Sequence, residues 1–497
     1  MSSKRTALGH GPPQADGLAP AEALSEYAEP GDDGFRQTLS NLQIQMIAIG
    51  GAVGVGLFLG LGERLRTAGP GLVFSYLVVS VVVYLLMRAL GELVVYRPTT
   101  GAFVSYAREF VGPRFAHLTG WIYVTLGSLA AVAETAAVAV YAGYWFPDLP
   151  GWVPSVLALC LIAGSNLLTA RAFGFIEVAA SSVKIAAIVL FLAAGVLVIA
   201  FGDAAGVRNE ASVTHLWADG GLFPNGVWPA VIVMQAVVFS YSAIEIAGIS
   251  AGEAKDPGGA MPKAIRSVVL RIGVFYLGSI VVLSMLLPTR RYSGAESPFV
   301  TALGSLGIPY LGGIMNFVVL TAAISGVNAT LYASVRMLRN LAANGTAPRA
   351  AARMTKNGVP VGALLGIGTF CLAGLLLIFF AGAGNAFEIT LHACAVCILF
   401  GWVAIFVSHL GFRREVAAGR IAPVAFRMPG APWTDWLCLA ALAAVFAAMV
   451  FDFSQPTWYY SLFAAVALLV VHNLTYEIAT RRRTPHDSAD GAPAEPR

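Results

Sequence analysis

The sequence predicts an all-α polytopic membrane protein, and three observations predict it. Of 497 residues, 57% are hydrophobic and only 12% charged, with a mean hydropathy of +0.74; a soluble domain is about a quarter charged. Twelve segments are apolar over the roughly 20 residues that a helix needs to cross hydrocarbon. They lie near residues 43–62, 70–95, 118–145, 151–169, 178–201, 228–251, 268–287, 311–333, 361–381, 388–410, 433–451 and 457–477. Lysine and arginine also collect on alternate loops, as membrane topology demands.

Residues 1–40 precede the first segment. They are polar and rich in Pro, Gly, Ala and acids, which predicts a disordered tail with no cleavable signal peptide. Segment one carries the most informative run, Ile49-Gly50-Gly51-Ala52-Val53-Gly54-Val55-Gly56-Leu57-Phe58. Each glycine weakens a helix by about 1 kcal/mol relative to alanine, and lipid supplies no water for a broken backbone. Such a break is tolerated where it lines a cavity. There its bare N–H and C=O groups bind something small and charged, and the half-helix dipoles point at it. Packing alone is the competing reading, because Gly50-x-x-x-Gly54 and Gly56-x-x-x-Gly60 also permit close helix contact. A dinucleotide fold is excluded: Leu59 stands where the third glycine of GxGxxG belongs.

Segments one to five, a polar stretch at 203–227, and segments six to ten divide the chain into two halves of similar length. Five is odd, so a second copy sits upside down relative to the first, and the substrate site then lies between corresponding broken helices. Segment six matches segment one, and its run Phe239-Ser240-Tyr241-Ser242-Ala243-Ile244-Glu245 predicts the second break. The expected organisation is a cytoplasmic tail (1–40), a first five-helix repeat (41–202), an extracytoplasmic loop (203–227) and a second repeat (228–412). Two peripheral helices (413–480) and a cytoplasmic tail (481–497) complete it.

With both termini cytoplasmic, the tails and inward loops hold most of the basic residues, among them Arg97, Arg108, Arg114, Lys255, Lys263, Arg266, Arg336, Arg339, Arg413 and Arg414. The outward loops hold Arg64, Arg66, Arg208, Arg290 and Arg291. Topology accounts for the basic loops, so no nucleic-acid partner is implied. All five cysteines lie in apolar segments, and Cys394 and Cys397 form a CxxC without partner ligands, so no metal site is expected.

The motifs resemble the amino acid–polyamine–organocation superfamily, and within it the bacterial amino acid permease family. The matching stretches are Ile49 to Phe58, Met87 to Leu93, Arg97 to Phe103, Gly120 to Tyr123, Phe239 to Glu253, and Asn340 to Pro348 with Gly358-Val359-Pro360. Leu90 to Pro98 and Phe103 to Phe110 look most like the asparagine permease branch. Segment three departs from that branch, with Glu134 where an Asp is expected.

The resemblance implies a LeuT-like fold with helices one and six broken, and a substrate site on the run Ala52, Val53, Gly54, Val55 and Gly56 with Phe239, Ser240 and Ser242. It places the substrate carboxylate on the N–H groups of Val55 and Gly56. An anion belongs at such a helix N-terminus. The ammonium group falls on the carbonyls of Ala52, Phe239 and Ser242. Phe239 matches a gate, with Tyr241 beside it, and Glu134 lines the pocket or assists proton movement.

In related permeases an ammonium at the position of Lys184 takes the place of a sodium ion, which makes Lys184 the expected proton-coupling site. A lysine in lipid is costly as a cation; snorkelling to the interface is the alternative. Glu245 is the second coupling candidate, with structural pairing as its rival. Asn328 resembles a polar patch near Lys184, or makes a plain interhelical hydrogen bond. Arg88 and Glu92, spaced i,i+4, can pair, and His392 reads as a core histidine. No resident cofactor is implied, and sodium is not expected.

The function expected is proton-coupled import of neutral amino acids, asparagine first, across a bacterial plasma membrane. An exchanger of the same fold remains open, as does, more remotely, a non-transporting sensor. A membrane enzyme lacks any HExxH, GxSxG or clustered acid–base set. Monomer and homodimer are both open.

Overall fold

The computed structural model describes Met46, Ile265 and residues 53–99, 101–167, 170–202, 210–218, 220–242, 244–245, 272–355, 358–451 and 458–481. The N-terminal tail, Gly50 to Ala52, Ala243, the stretch from Ile246 to Lys263 with its basic residues, Arg266, Arg208 and the C-terminal tail from Arg482 lie outside the described residues.

Every regular element among the described residues is helical. They run α1 (Val55–Phe58), α2 (Gly60–Ala68), α3 (Leu72–Tyr96), α4 (Ala102–Phe110), α5 (Pro113–Gly143), α6 (Trp152–Asn166), α7 (Ala170–Phe201), α8 (Val227–Ile232) and α9 (Met234–Ser240). Then follow α10 (Gly278–Leu286), α11 (Pro298–Gly304), α12 (Leu311–Ala343), α13 (Val361–Ala381), α14 (Ala383–Ala417), α15 (Trp433–Val450) and α16 (Trp458–Arg481). Among the described residues eight stretches are long and apolar enough to cross a membrane, and 152–166, 227–240 and 273–286 are shorter apolar helices.

Helix α5 is the axis of the bundle. It packs mainly against α12 and α14, and 89% of its most apolar window is buried, against 6% for α16. Its alanine-rich run Ala130 to Ala139 is what permits that close approach. Helix α7 shows the opposite pattern, with Phe175, Val183 and Leu190 exposed on one face and Glu177, Ser181 and Lys184 buried on the other. Several helices outrun their apolar segments, α14 at both ends (Ala383–Ala417 against 388–410). α7 begins at Ala170 rather than near 178, and α12 continues past 333 to Ala343.

The i,i+4 pairing of Arg88 with Glu92 is not formed. Glu92 accepts instead from Arg413 Nη1 at 2.9 Å, His409 Nε2 at 3.1 Å and the Met428 N–H at 2.6 Å. Arg88 lies over the Phe426 ring, 3.9 Å from its centre, and bonds the Arg427 carbonyl. His409 Nδ1 bonds Asp435 Oδ1 at 2.8 Å, so both ring nitrogens face carboxylates, an arrangement satisfied by the protonated imidazole. Two carboxylates are then balanced by an imidazolium and a guanidinium. Glu92, His409 and Asp435 are all buried, and they bind α3, α14 and α15 together. Removing one partner of a buried set typically destabilises by about 3–5 kcal/mol. Asp435→Asn is therefore expected to lower the unfolding temperature of the purified protein markedly, as read by scanning calorimetry in detergent.

Candidate functional site

Helix α1 starts at Val55, inside the first apolar segment. Gly54 caps α1 in an extended conformation, φ −120° and ψ −161°, with no side-chain cap. Its carbonyl accepts from the N–H groups of Leu57 and Phe58 at 3.1 and 3.2 Å. The N–H groups of Val55 and Gly56 precede these, so α1 itself offers them no acceptor. Two adjacent donors at a helix start suit a carboxylate.

The end of α9 lies beside the start of α1. Helix α9 stops at Ser240, and Tyr241, Ser242, Ile244 and Glu245 form turns. The Phe239 carbonyl accepts from the Ser242 N–H at 3.0 Å and keeps a second lone pair for another donor. Gly56 lies against this end. A Cβ placed on it would stand 2.9 Å from Ser240 Cα and 3.3 Å from the Phe239 ring. Gly56→Val is accordingly expected to push the two half-helices apart and abolish uptake while the protein still reaches the membrane, which transport and surface-labelling assays check together.

Val53, Gly54, Val55, Gly56, Phe239 and Ser240 thus sit together, buried, where the two half-helices meet. Ala52 lies outside the described residues. The Ser240 hydroxyl is engaged by protein: it donates to the Gly56 carbonyl at 3.2 Å and accepts from Arg64 at 2.7 Å and from the Tyr76 hydroxyl at 3.0 Å. Tyr241 bonds Ser80 Oγ at 2.8 Å and packs in a cluster with Tyr76 and Tyr276. Ser242 and Glu245 line a cavity of about 20 Å³ with Tyr123, Gly127, Thr330 and Ser334, polar and roomy enough for a water.

Arg64 corrects the sequence reading. It does not sit in an outward loop; it is 4% exposed inside α2. Its Nη1 donates to the Gly56 carbonyl at 2.8 Å and to Ser240 Oγ at 2.7 Å, with Tyr76 Oη at 3.4 Å. Helix α1 ends at Phe58 and α2 starts at Gly60, and the guanidinium occupies the Gly56 carbonyl beside that interruption. One cation therefore ties α1, α2, α3 and α9 at the break. The residue was hidden because a charge in Gly62-Glu63-Arg64-Leu65-Arg66 reads as a helix end.

A second polar centre lies between α5, α7 and α12. Lys184 is 1% exposed, within electrostatic reach of Glu177 and Glu134. Glu134 rests against Gly326 of α12, so closely that a Cβ there would stand 2.6 Å from its Oε1. Glu177 accepts from Ser325 Oγ at 2.8 Å and Ser181 Oγ at 3.4 Å. Asn328 takes the interhelical role, accepting from Ser165 Oγ at 2.8 Å and Asn166 Nδ2 at 2.9 Å on α6. His392 is half-buried on α14.

The profile of the amino acid permease family matches residues 43–487. The chain belongs to the amino acid permease family. Among its relatives, the L-asparagine permease of Salmonella typhimurium is 40% identical over 465 residues, covering 92% of this chain and 93% of that one. The L-asparagine permease of Streptomyces coelicolor is 41% identical over 485 residues, 97% and 96% of the two chains. L-asparagine permease 2 of Mycobacterium tuberculosis is 43% identical over 444 residues, 89% and 91% of the two chains. This permease is a transporter of amino acids and not an enzyme, and with its apolar helices it is a multi-pass membrane protein.

Proposed function

We propose that this permease imports asparagine, and with it other small neutral amino acids, by proton symport across a bacterial plasma membrane. Backbone groups do the recognition. The N–H groups of Val55 and Gly56 take the substrate carboxylate, and the carbonyls of Ala52, Phe239 and Ser242 take the ammonium group. Phe239 and Tyr241 gate the pocket, Glu134 lines it, and Asn328 supports it from α12. What supports this reading is the pair of N–H groups at the start of α1, without an acceptor inside that helix, beside the end of α9, together with the relatives named above.

The architecture that fits is twelve transmembrane helices in a LeuT-like five-plus-five inverted repeat, 41–202 and 228–412, with both termini cytoplasmic. The bundle rocks around a fixed site between outward-open and inward-open states. Loading and release of a proton at Lys184, with Glu245 as a second group, biases that equilibrium, and sodium is not required.

The test is uptake of radiolabelled asparagine by the purified protein in sodium-free liposomes, with and without an inward proton gradient. Accumulation above equilibrium with the gradient alone is the expected result. Uptake confined to liposomes preloaded with amino acid would make the protein an exchanger instead. Competition by unlabelled amino acids then orders the substrates, with aspartate expected to compete poorly beside glutamine and serine because no cation is assigned to the side-chain pocket.

A further inference from the structure

Glu177, Ser181 and Lys184 fall at i, i+4 and i+7, one stripe along α7. The stripe faces inward, since Phe175 and Val183 on the other side are 73% and 47% exposed while Glu177 is 0% exposed. Glu177 Oε1 lies 3.4 Å from Ser181 Oγ, one turn toward Lys184, so the carboxyl leans along the helix toward the ammonium group. Ser325 of α12 holds the same oxygen at 2.8 Å. The other oxygen, Oε2, is buried without a hydrogen-bond partner among the described residues. Ser181 also donates to the Met46 carbonyl at 3.0 Å, which ties the stripe to the first segment ahead of its break.

We propose that Glu177 is the positioning residue of the proton site: its buried carboxylate, tethered to α12 by Ser325, holds the ammonium form of Lys184 and sets the acidity at which the site loads. This rests on the reading of Lys184 as the coupling group and deepens it. Burial strips water from the Lys184 ammonium group, and the Glu177 carboxyl on the same face of α7 is the counter-charge that offsets that loss. Because Ser325 belongs to α12 and Met46 to the first segment, a shift of either moves the anion or its tether relative to Lys184. Bundle movement and proton release are thereby linked.

The charged and titratable groups facing Glu177 are few among the described residues. Lys184 faces it from its own helix and Glu134 from α5. Cys394 of α14 faces Glu134 in turn. Helix α10 carries no ionisable residue, and those of α12, Tyr332, Arg336 and Arg339, lie about two or more turns beyond Ser325.

The experiment is the pH profile of gradient-driven uptake in liposomes for wild type, Glu177→Gln, Glu177→Asp and Lys184→Ala. The probe is radiolabelled asparagine or, if the wild type carries another amino acid, that amino acid. Without the anion Lys184 binds its proton less readily, so Glu177→Gln is expected to move the half-maximal point to a proton concentration at least tenfold higher. Glu177→Asp keeps the charge but draws it back, and is expected to move the point the same way by less; it serves alone should the glutamine variant not fold. An unmoved half-maximal point, with uptake merely slower at every pH, overturns the proposal. Lys184→Ala separates the two claims: a wild-type pH profile there refutes the coupling role of Lys184 itself, whatever Glu177 does.

Discussion

Arg64→Met is expected to lower asparagine uptake by roughly 100-fold while the protein is still made and inserted. The guanidinium bonds the Gly56 carbonyl and Ser240 Oγ from one nitrogen, with Tyr76 beyond. Hydrogen bonds to a charged group contribute about 1.5–3 kcal/mol each, and about 2.8 kcal/mol corresponds to a 100-fold change. Part of the contact survives the substitution, because Ser240 still reaches the Gly56 carbonyl. What is lost is the cross-brace that fixes α1 against α2 and α9 beside the Val55 and Gly56 N–H groups. Arg64→Lys is expected to retain more uptake than the methionine variant, because all three contacts are made from the single Nη1 and an ammonium nitrogen also carries three donors. Initial-rate uptake in cells, normalised to surface-labelled protein, checks both variants.

Lys184→Ala is expected to abolish accumulation against a gradient while sparing exchange. Lys184 is buried with Glu177 and Glu134 around it, well placed to report a proton to α5 and α12. The proposed substrate groups lie elsewhere, at the ends of α1 and α9. Losing the lysine should therefore uncouple the cycle and leave the site able to bind. Counterflow of labelled into unlabelled asparagine, measured beside gradient-driven uptake in the same liposomes, tells uncoupling from collapse. Equal loss of both would place Lys184 in the scaffold.

That helices start and stop near Gly54 and Ser240 was legible in the sequence, because repeated glycines weaken a helix where lipid cannot solvate the freed backbone. Gly54 and Gly56 stand at the start of a half-helix, and the polar run after Phe239 marks where α9 ends. Three features were not legible, each for a physical reason. Arg64 interrupts the hydropathy of its segment and so reads as a loop residue, although the fold buries it. Glu177 fell one residue outside a segment that hydropathy starts near 178; the i, i+4, i+7 stripe it makes with Ser181 and Lys184 is the signal that finds it. The partners of Glu92 lie 317 and 321 residues away on α14. Local i,i+4 spacing favours Arg88, and only tertiary packing brings in His409, Arg413 and Asp435.

Substrate recognition, as proposed, turns on backbone donors at the first break holding the substrate carboxylate. An electron cryomicroscopy structure of the permease with asparagine bound decides whether they do. The carboxylate is expected within hydrogen-bonding distance of the Val55 and Gly56 N–H groups, with the ammonium group on the carbonyls of Phe239 and Ser242. A carboxylate seated on Arg64 or any other side chain, with those two N–H groups left empty, would contradict this recognition scheme.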